Sequence, residues 1–287
     1  MAAKPVVVGV DGSEESLRAV EWAALEARRH SAPLRIVSAP ASVPRMHACS
    51  AAPEEIACAL GGIAARALHA AITRSEEVAP DLPLTTGLLS GPPALAVAES
   101  GADASVLIVG ARGAGGFAAM VLGSVSRYVA SRAPCPVVVV REESMAVHRE
   151  IAVGVRDPQD TTRALAFAFE EAALRDADLV AVHTWHWLPS APHRPAPGET
   201  DRISAEAADR LAITLGTWRE KCPQVRVRHD VIHGHPARVL ASYSARADLV
   251  VLGRHSHPEG MGPGIGSIQH AVLDHAHGPV AIIPVSD

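Results

Sequence analysis

The sequence predicts an α/β fold built twice. Three observations predict it: short fully apolar runs that alternate with helical patterns, glycines that follow those runs, and a second half that repeats the first at nearly constant offset. Val6-Val7-Val8-Gly9-Val10 reads as a strand buried on both faces, as parallel strands are. Ser13 or Asp11 can cap the helix that follows, whose Leu17, Val20, Ala24 and Ala27 share one face. Pro33 introduces a second strand, Leu34 to Val37. A Pro- and Ala-rich segment, Ala39 to Pro53, leads to a long amphipathic pattern between Glu54 and Glu77. A third strand at about Leu84 to Leu89 ends at Ser90-Gly91-Pro92-Pro93, where proline suits the first turn of a helix reaching about Ser100. Val106 to Val109 is the fourth strand, a helix spans about Leu122 to Ser131, and Val137 to Val140 is the fifth strand.

Residues 141 to 150 are charged and unpatterned, and the domain reading is 1–143 and 149–287 with a linker at 144–148. Ile151 to Val155 repeats the first strand, and Leu179 to His183 repeats Leu34 to Ser38, both at an offset of 145. Gly234-His235-Pro236, Leu249 to Gly253 and Gly278 to Ile283 repeat their counterparts at an offset of 143. Chance alignment of apolar residues does not hold two offsets over whole halves, so the chain is a tandem duplication.

Composition narrows the function classes. A net charge of -5 gives no electrostatic reason to expect nucleic acid or an anionic membrane as partner. No apolar run reaches the roughly 20 residues of a transmembrane helix. The cysteines, Cys49, Cys58, Cys135 and Cys222, show no close pairing, and no leader-like run precedes the first strand. A cytoplasmic setting with reduced thiols is the expectation, with Cys135 a small packing residue. Lysine occurs only as Lys4 and Lys221, outside any glycine-rich loop, so a P-loop is absent.

The stretch with chemistry in it runs from Gly110 to Ser124, where a strand empties through Gly110, Gly113, Gly115 and Gly116 towards a helix start. Glycines admit an anion close to backbone N–H groups, and a helix start adds a favourable dipole. The second half repeats the spacing as Gly253, Ser256 and Gly266-Ser267. Its histidines, His233 and His235 on one expected strand face among them, read as titratable surface groups, and no metal site is expected.

Val8-Gly9-Val10-Asp11-Gly12-Ser13, Gly110-Ala111-Arg112-Gly113, Leu122-Gly123-Ser124-Val125-Ser126 and Pro134-Cys135-Pro136-Val137 together resemble the universal stress protein family, closest to its tandem two-domain members. The resemblance implies two doubly wound, Rossmann-like domains of the adenine nucleotide alpha hydrolase type, each with a five-stranded parallel sheet flanked by helices. It also implies ATP, with Mg²⁺ as its companion ion, across the carboxyl ends of the strands. Carried over by position, Asp11 accepts hydrogen bonds from the adenosine, and the backbone at Val37 and Ser38 flanks the adenine. Gly110, Gly113 and Gly115 admit ribose and phosphates, and Gly123, Ser124, Val125 and Ser126 hold phosphate oxygens. Arg112 adds charge or points to solvent, and a helix cap remains the other reading of Asp11.

A weaker second site at Gly253, Gly266 and Ser267 is expected, because Arg156 stands at the place of Asp11 and Ser256 at that of Gly113. The function this implies is an ATP-binding regulator or sensor of the stress response. A slow ATP hydrolase or phosphotransferase, and a nucleotide-free interaction module, are the alternatives. The expected partners are an adenine nucleotide and an unidentified protein, with no nucleic acid and no membrane. The halves are expected to form an intramolecular pseudo-dimer through their fifth strands, and a homodimer of whole chains is the further expectation.

Overall fold

Runs of valine and isoleucine that bury every side chain can only be satisfied in a sheet covered on both faces, and the structure, a computed structural model, builds such a sheet in each half. It describes residues 3–40, 53–113, 122–141, 147–156, 161–186, 198–254 and 265–284, with the backbone alone at 53–60. The chain divides into two units, Met1–Met145 and Ala146–Asp287.

The first unit contains β1 (Val6–Val10), α1 (Glu14–Arg29), β2 (Leu34–Ser38), α2 (Pro53–Val78), β3 (Leu84–Leu88), α3 (Pro93–Glu99), β4 (Val106–Gly110), α4 (Ser124–Arg132) and β5 (Val137–Val140). Its strands lie in the order β3-β2-β1-β4-β5, all parallel. The helices α1 and α2 pack together on the sheet, as do α3 and α4. Strand order reverses between β1 and β4, which opens a crevice at their carboxyl ends. Val8 pairs with Ile108 and Gly9 with Val109, so Asp11 and the residues after Gly110 emerge side by side.

The second unit repeats the plan with β6 (Glu150–Gly154), α5 (Thr162–Arg175), β7 (Asp178–Trp185), α6 (Glu199–Lys221), β8 (Val227–His233), α7 (Pro236–Tyr243), β9 (Leu249–Arg254), α8 (Ser267–His275) and β10 (Val280–Pro284). Its order is β8-β7-β6-β9-β10, again parallel. Phe169 of α5, buried to within 1 % of its surface, stacks on Trp218 of α6 at 5.4 Å between ring centroids.

Most expected elements appear, with shifts that have local causes. The helix expected from about Leu122 starts at Ser124, because Gly123 is extended at φ −69°, ψ 155° and Leu122 goes into the core instead. β7 outruns the apolar run that predicted it: Thr184 and Trp185 continue the ladder with Ile232 and His233. β8 ends at His233, so His235 is not on the strand with it but takes the N-cap position of α7.

An ionic ladder ties the edge of the second sheet. Arg228 donates to Asp230 Oδ2 at 2.6 Å and to Glu150 Oε2 at 2.7 Å, and the Tyr243 hydroxyl donates to Asp230 Oδ2 at 2.5 Å. Burial, helped by the bond to Asp230, pushes the Tyr243 phenol up to about 12. The folded state holds this proton more tightly than the unfolded chain, whose tyrosine titrates near 10. Stability from this group is therefore complete below about pH 10 and lost between about pH 10 and pH 12. Urea denaturation across that interval should show the loss in the natural chain and a smaller one in Tyr243→Phe.

Candidate functional site

The crevice of the first unit is lined from both sides by helix starts. Gly12 turns the chain out of β1 with φ +85°, a conformation that glycine adopts without strain, and Ser13 caps α1. Ser13 Oγ accepts from the Ser16 N–H at 3.2 Å while its own hydroxyl and N–H donate to Asp11 Oδ1 at 2.6 and 3.0 Å. Of the two expected cap residues, Ser13 is therefore the cap and Asp11 is the group that holds it. The carboxylate of Asp11, exposed to solvent, lies close over Gly113. A Cβ at residue 113 would collide with Asp11 Oδ2.

Gly110 has a packing role. A Cβ there would meet the Glu15 carbonyl oxygen at 2.8 Å, so its absence lets the first turn of α1 lie against the end of β4. On the other side, the Gly123 N–H donates to the Ala111 carbonyl at 2.8 Å, and the Ser126 hydroxyl donates to the Gly110 carbonyl at 2.6 Å. Ser126 is buried, and its proton is committed to the backbone of β4. Ser124 is exposed, Val125 half-buried, and no side chain caps α4 at Gly123. Arg112 pairs with Glu15 of α1 at 3.1 Å. At the end of β2, Val37 is buried and the Ser38 hydroxyl donates to the Val10 carbonyl at 2.9 Å. Gly115 lies outside the described residues.

The second unit keeps the backbone of this arrangement and changes its side chains. Gly266 precedes α8 with φ −62°, ψ 157°, close to Gly123 before α4, and it too lacks a side-chain cap. The strand-end carbonyls receive donors from larger groups. His183, in the place of Ser38, reaches the Val155 carbonyl through Nδ1 at 2.9 Å, and Gln269, in the place of Ser126, donates to the Gly253 carbonyl at 2.7 Å. The Gln269 carboxamide leans over Gly266 so closely that a Cβ there would strike its Oε1. Ser267 remains exposed at the helix start, Arg156 stands exposed where the first unit has Asp11, and Ser256 lies outside the described residues. His183 and Gln269 escape a reading that follows glycines alone. The offsets of 145 and 143 are the signal that finds them.

Against this geometry, comparison with known proteins is specific. The model of the universal stress protein family matches residues 2–141 and again 148–284. The chain belongs to the universal stress protein family. A universal stress protein of Mycobacterium tuberculosis is 32% identical over 289 residues, covering 96% of each chain. One of Mycolicibacterium smegmatis is 32% identical over 288 residues, covering 97% of this chain and 96% of its own. Among solved structures, a universal stress protein of Archaeoglobus fulgidus superposes over 99% of this chain and 97% of its own, with a TM-score of 0.73 at 16% identity, and shares the fold. No helix among the described residues is long and apolar enough to cross a membrane.

The bond from Ser126 to Gly110 gives a stability test. Ser126→Ala leaves a buried carbonyl without its donor, at a cost of about 1–3 kcal/mol. Urea denaturation should show that loss, and Ser124→Ala, at an exposed position, should change stability by less than about 0.5 kcal/mol.

Proposed function

We propose that this universal stress protein binds ATP in its first half, at the carboxyl ends of β1 and β4, and that occupancy acts as a regulatory signal in a stress response. The observation that carries the reading is the close approach of the Asp11 carboxylate to a residue without a side chain, Gly113, at the point where strand order reverses. Asp11 supplies an acceptor for a ribose or adenine donor, and the uncapped start of α4 supplies N–H donors for phosphate oxygens. Family membership supports the same placement. Ser126 acts here by positioning α4 against Gly110, and the first-turn N–H groups of Ser124 and Val125 are those assigned to phosphate oxygens.

Mg²⁺, in this reading, travels with the triphosphate. The nearest described carboxylates are engaged: Asp11 Oδ1 accepts twice from Ser13, and Glu15 is paired with Arg112. Retention of the nucleotide rather than turnover is the reading, because among the described residues no side chain beside Gly110 combines an activated base with an open nucleophile position. Binding then shifts a conformational population by its differential affinity.

The second half is the weaker site. His183 and Gln269 occupy room at the strand and helix ends that Ser38 and Ser126 leave open, and Arg156 replaces the acceptor.

Titration calorimetry of the full chain with ATP should give one site per chain, with ADP, AMP and cAMP as competitors. Asp11→Ala and Gly113→Ser should each weaken binding at least tenfold, about 1.4 kcal/mol or more. Arg156→Ala should change it by less than threefold. Unaltered ATP affinity in both first-half variants would overturn the assignment.

A further inference from the structure

The second unit carries groups at the carboxyl ends of β7 and β8 that neither the fold nor the nucleotide reading uses. Trp185 and His233 are paired across the ladder, their rings 4.4 Å apart, and the Trp185 indole donates to Ser204 Oγ at 3.1 Å. The Gly234 N–H then donates to the Trp185 carbonyl at 2.9 Å, which fastens the two chain segments together one residue further on. Beyond that bond stand His186 and His235, both exposed, with ring centroids 5.5 Å apart and planes inclined at 43°.

Rings at this spacing are in tilted contact, and the same spacing suits two imidazoles that share an ion. A zinc-class ion sits about 2.0–2.1 Å from an imidazole nitrogen, so roughly 3.2 Å from the ring centroid, and two rings at the observed spacing subtend about 120° at it, near tetrahedral. Neither ring is held by a hydrogen bond to the described residues, so both can reorient towards a shared ion.

The first half shows that the fold does not require imidazole here. At the offset of 143, His235 corresponds to Pro92, which takes the N-cap of α3 at φ −60°, ψ 125° against −67°, 121° for His235 before α7. At the offset of 145, His186 corresponds to Ala41. At the helix cap the backbone is reproduced, and both imidazoles are found in the second half alone.

We propose that His186 and His235 form a binding site for a divalent transition-metal ion of the zinc class, open to solvent and to further ligands at its remaining positions. His233, stacked on Trp185, is wall rather than ligand. The site is independent of the nucleotide reading and survives its failure.

The test is calorimetric titration of the chelator-stripped full chain with Zn²⁺, repeated with Co²⁺ to read coordination from its visible absorption. One ion per chain at this site is expected. His186→Ala and His235→Ala should each weaken binding at least tenfold, whereas His233→Ala should stay within threefold of the natural chain. Both ligand positions are exposed, so unchanged melting temperatures without metal confirm that the variants fold. No Zn²⁺ uptake, uptake that both ligand variants retain, or an equal loss in all three variants would overturn the assignment.

Discussion

Asp11 Oδ2 lies where the Cβ of any residue other than glycine at position 113 would have to be. That contact joins the end of β1 to the residues after β4, and the polar groups of the first-half crevice gather around it. With residue 113 bare, the carboxylate can stay beside the strand end and accept both hydrogen bonds from Ser13 through Oδ1, and Ser13 can cap α1. The capped first turn brings the Glu15 carbonyl against Gly110, again with no room for a side chain, and brings the Glu15 carboxylate to Arg112. Two glycines thus let a helix start, a strand end and a loop converge at the place where the strand order turns. The polar groups gathered there are the substance of the ATP reading.

Comparison of the halves separates what the fold demands from what a ligand would demand. Buried strand-end carbonyls need donors, and both halves provide them: Ser38 and His183 for the ends of β1 and β6, Ser126 and Gln269 for the ends of β4 and β9. The requirement is a donor of any kind, and the choice of donor sets how much room remains. At each end the first half uses a hydroxyl, and the second half uses the larger imidazole or carboxamide. The second half is consequently a sound copy of the fold with larger donors at its strand-end carbonyls and with histidine and tryptophan at the ends of β7 and β8.

The fold was largely legible in the sequence, because a parallel strand buried on both faces leaves an unmistakable apolar run, as in Val137 to Val140 or Leu249 to Leu252. The failures are where pairing rather than burial decides. Thr184 and Trp185 extend β7 through pairing with β8 past the point where His183 and Thr184 break the apolar run, and the extended backbone of Gly123 delays α4 past Leu122. In the site, the residue types at Asp11 and Gly113 could be read as the positions where the halves diverge, but not that they touch, since contact between distant segments depends on the register of β1 with β4. Ser126 reads from sequence as a phosphate donor. Only the packed structure commits its proton to Gly110.

On the proposed function, nucleotide is held in the first half of the chain. Photocrosslinking of the full-length protein with an azido derivative of ATP, followed by peptide mapping, tests it most directly. Label confined to peptides from residues 1–145, and displaced by unmodified ATP, is the expected result. Label of equal yield in peptides from residues 146–287, or label that ATP does not displace, would contradict it.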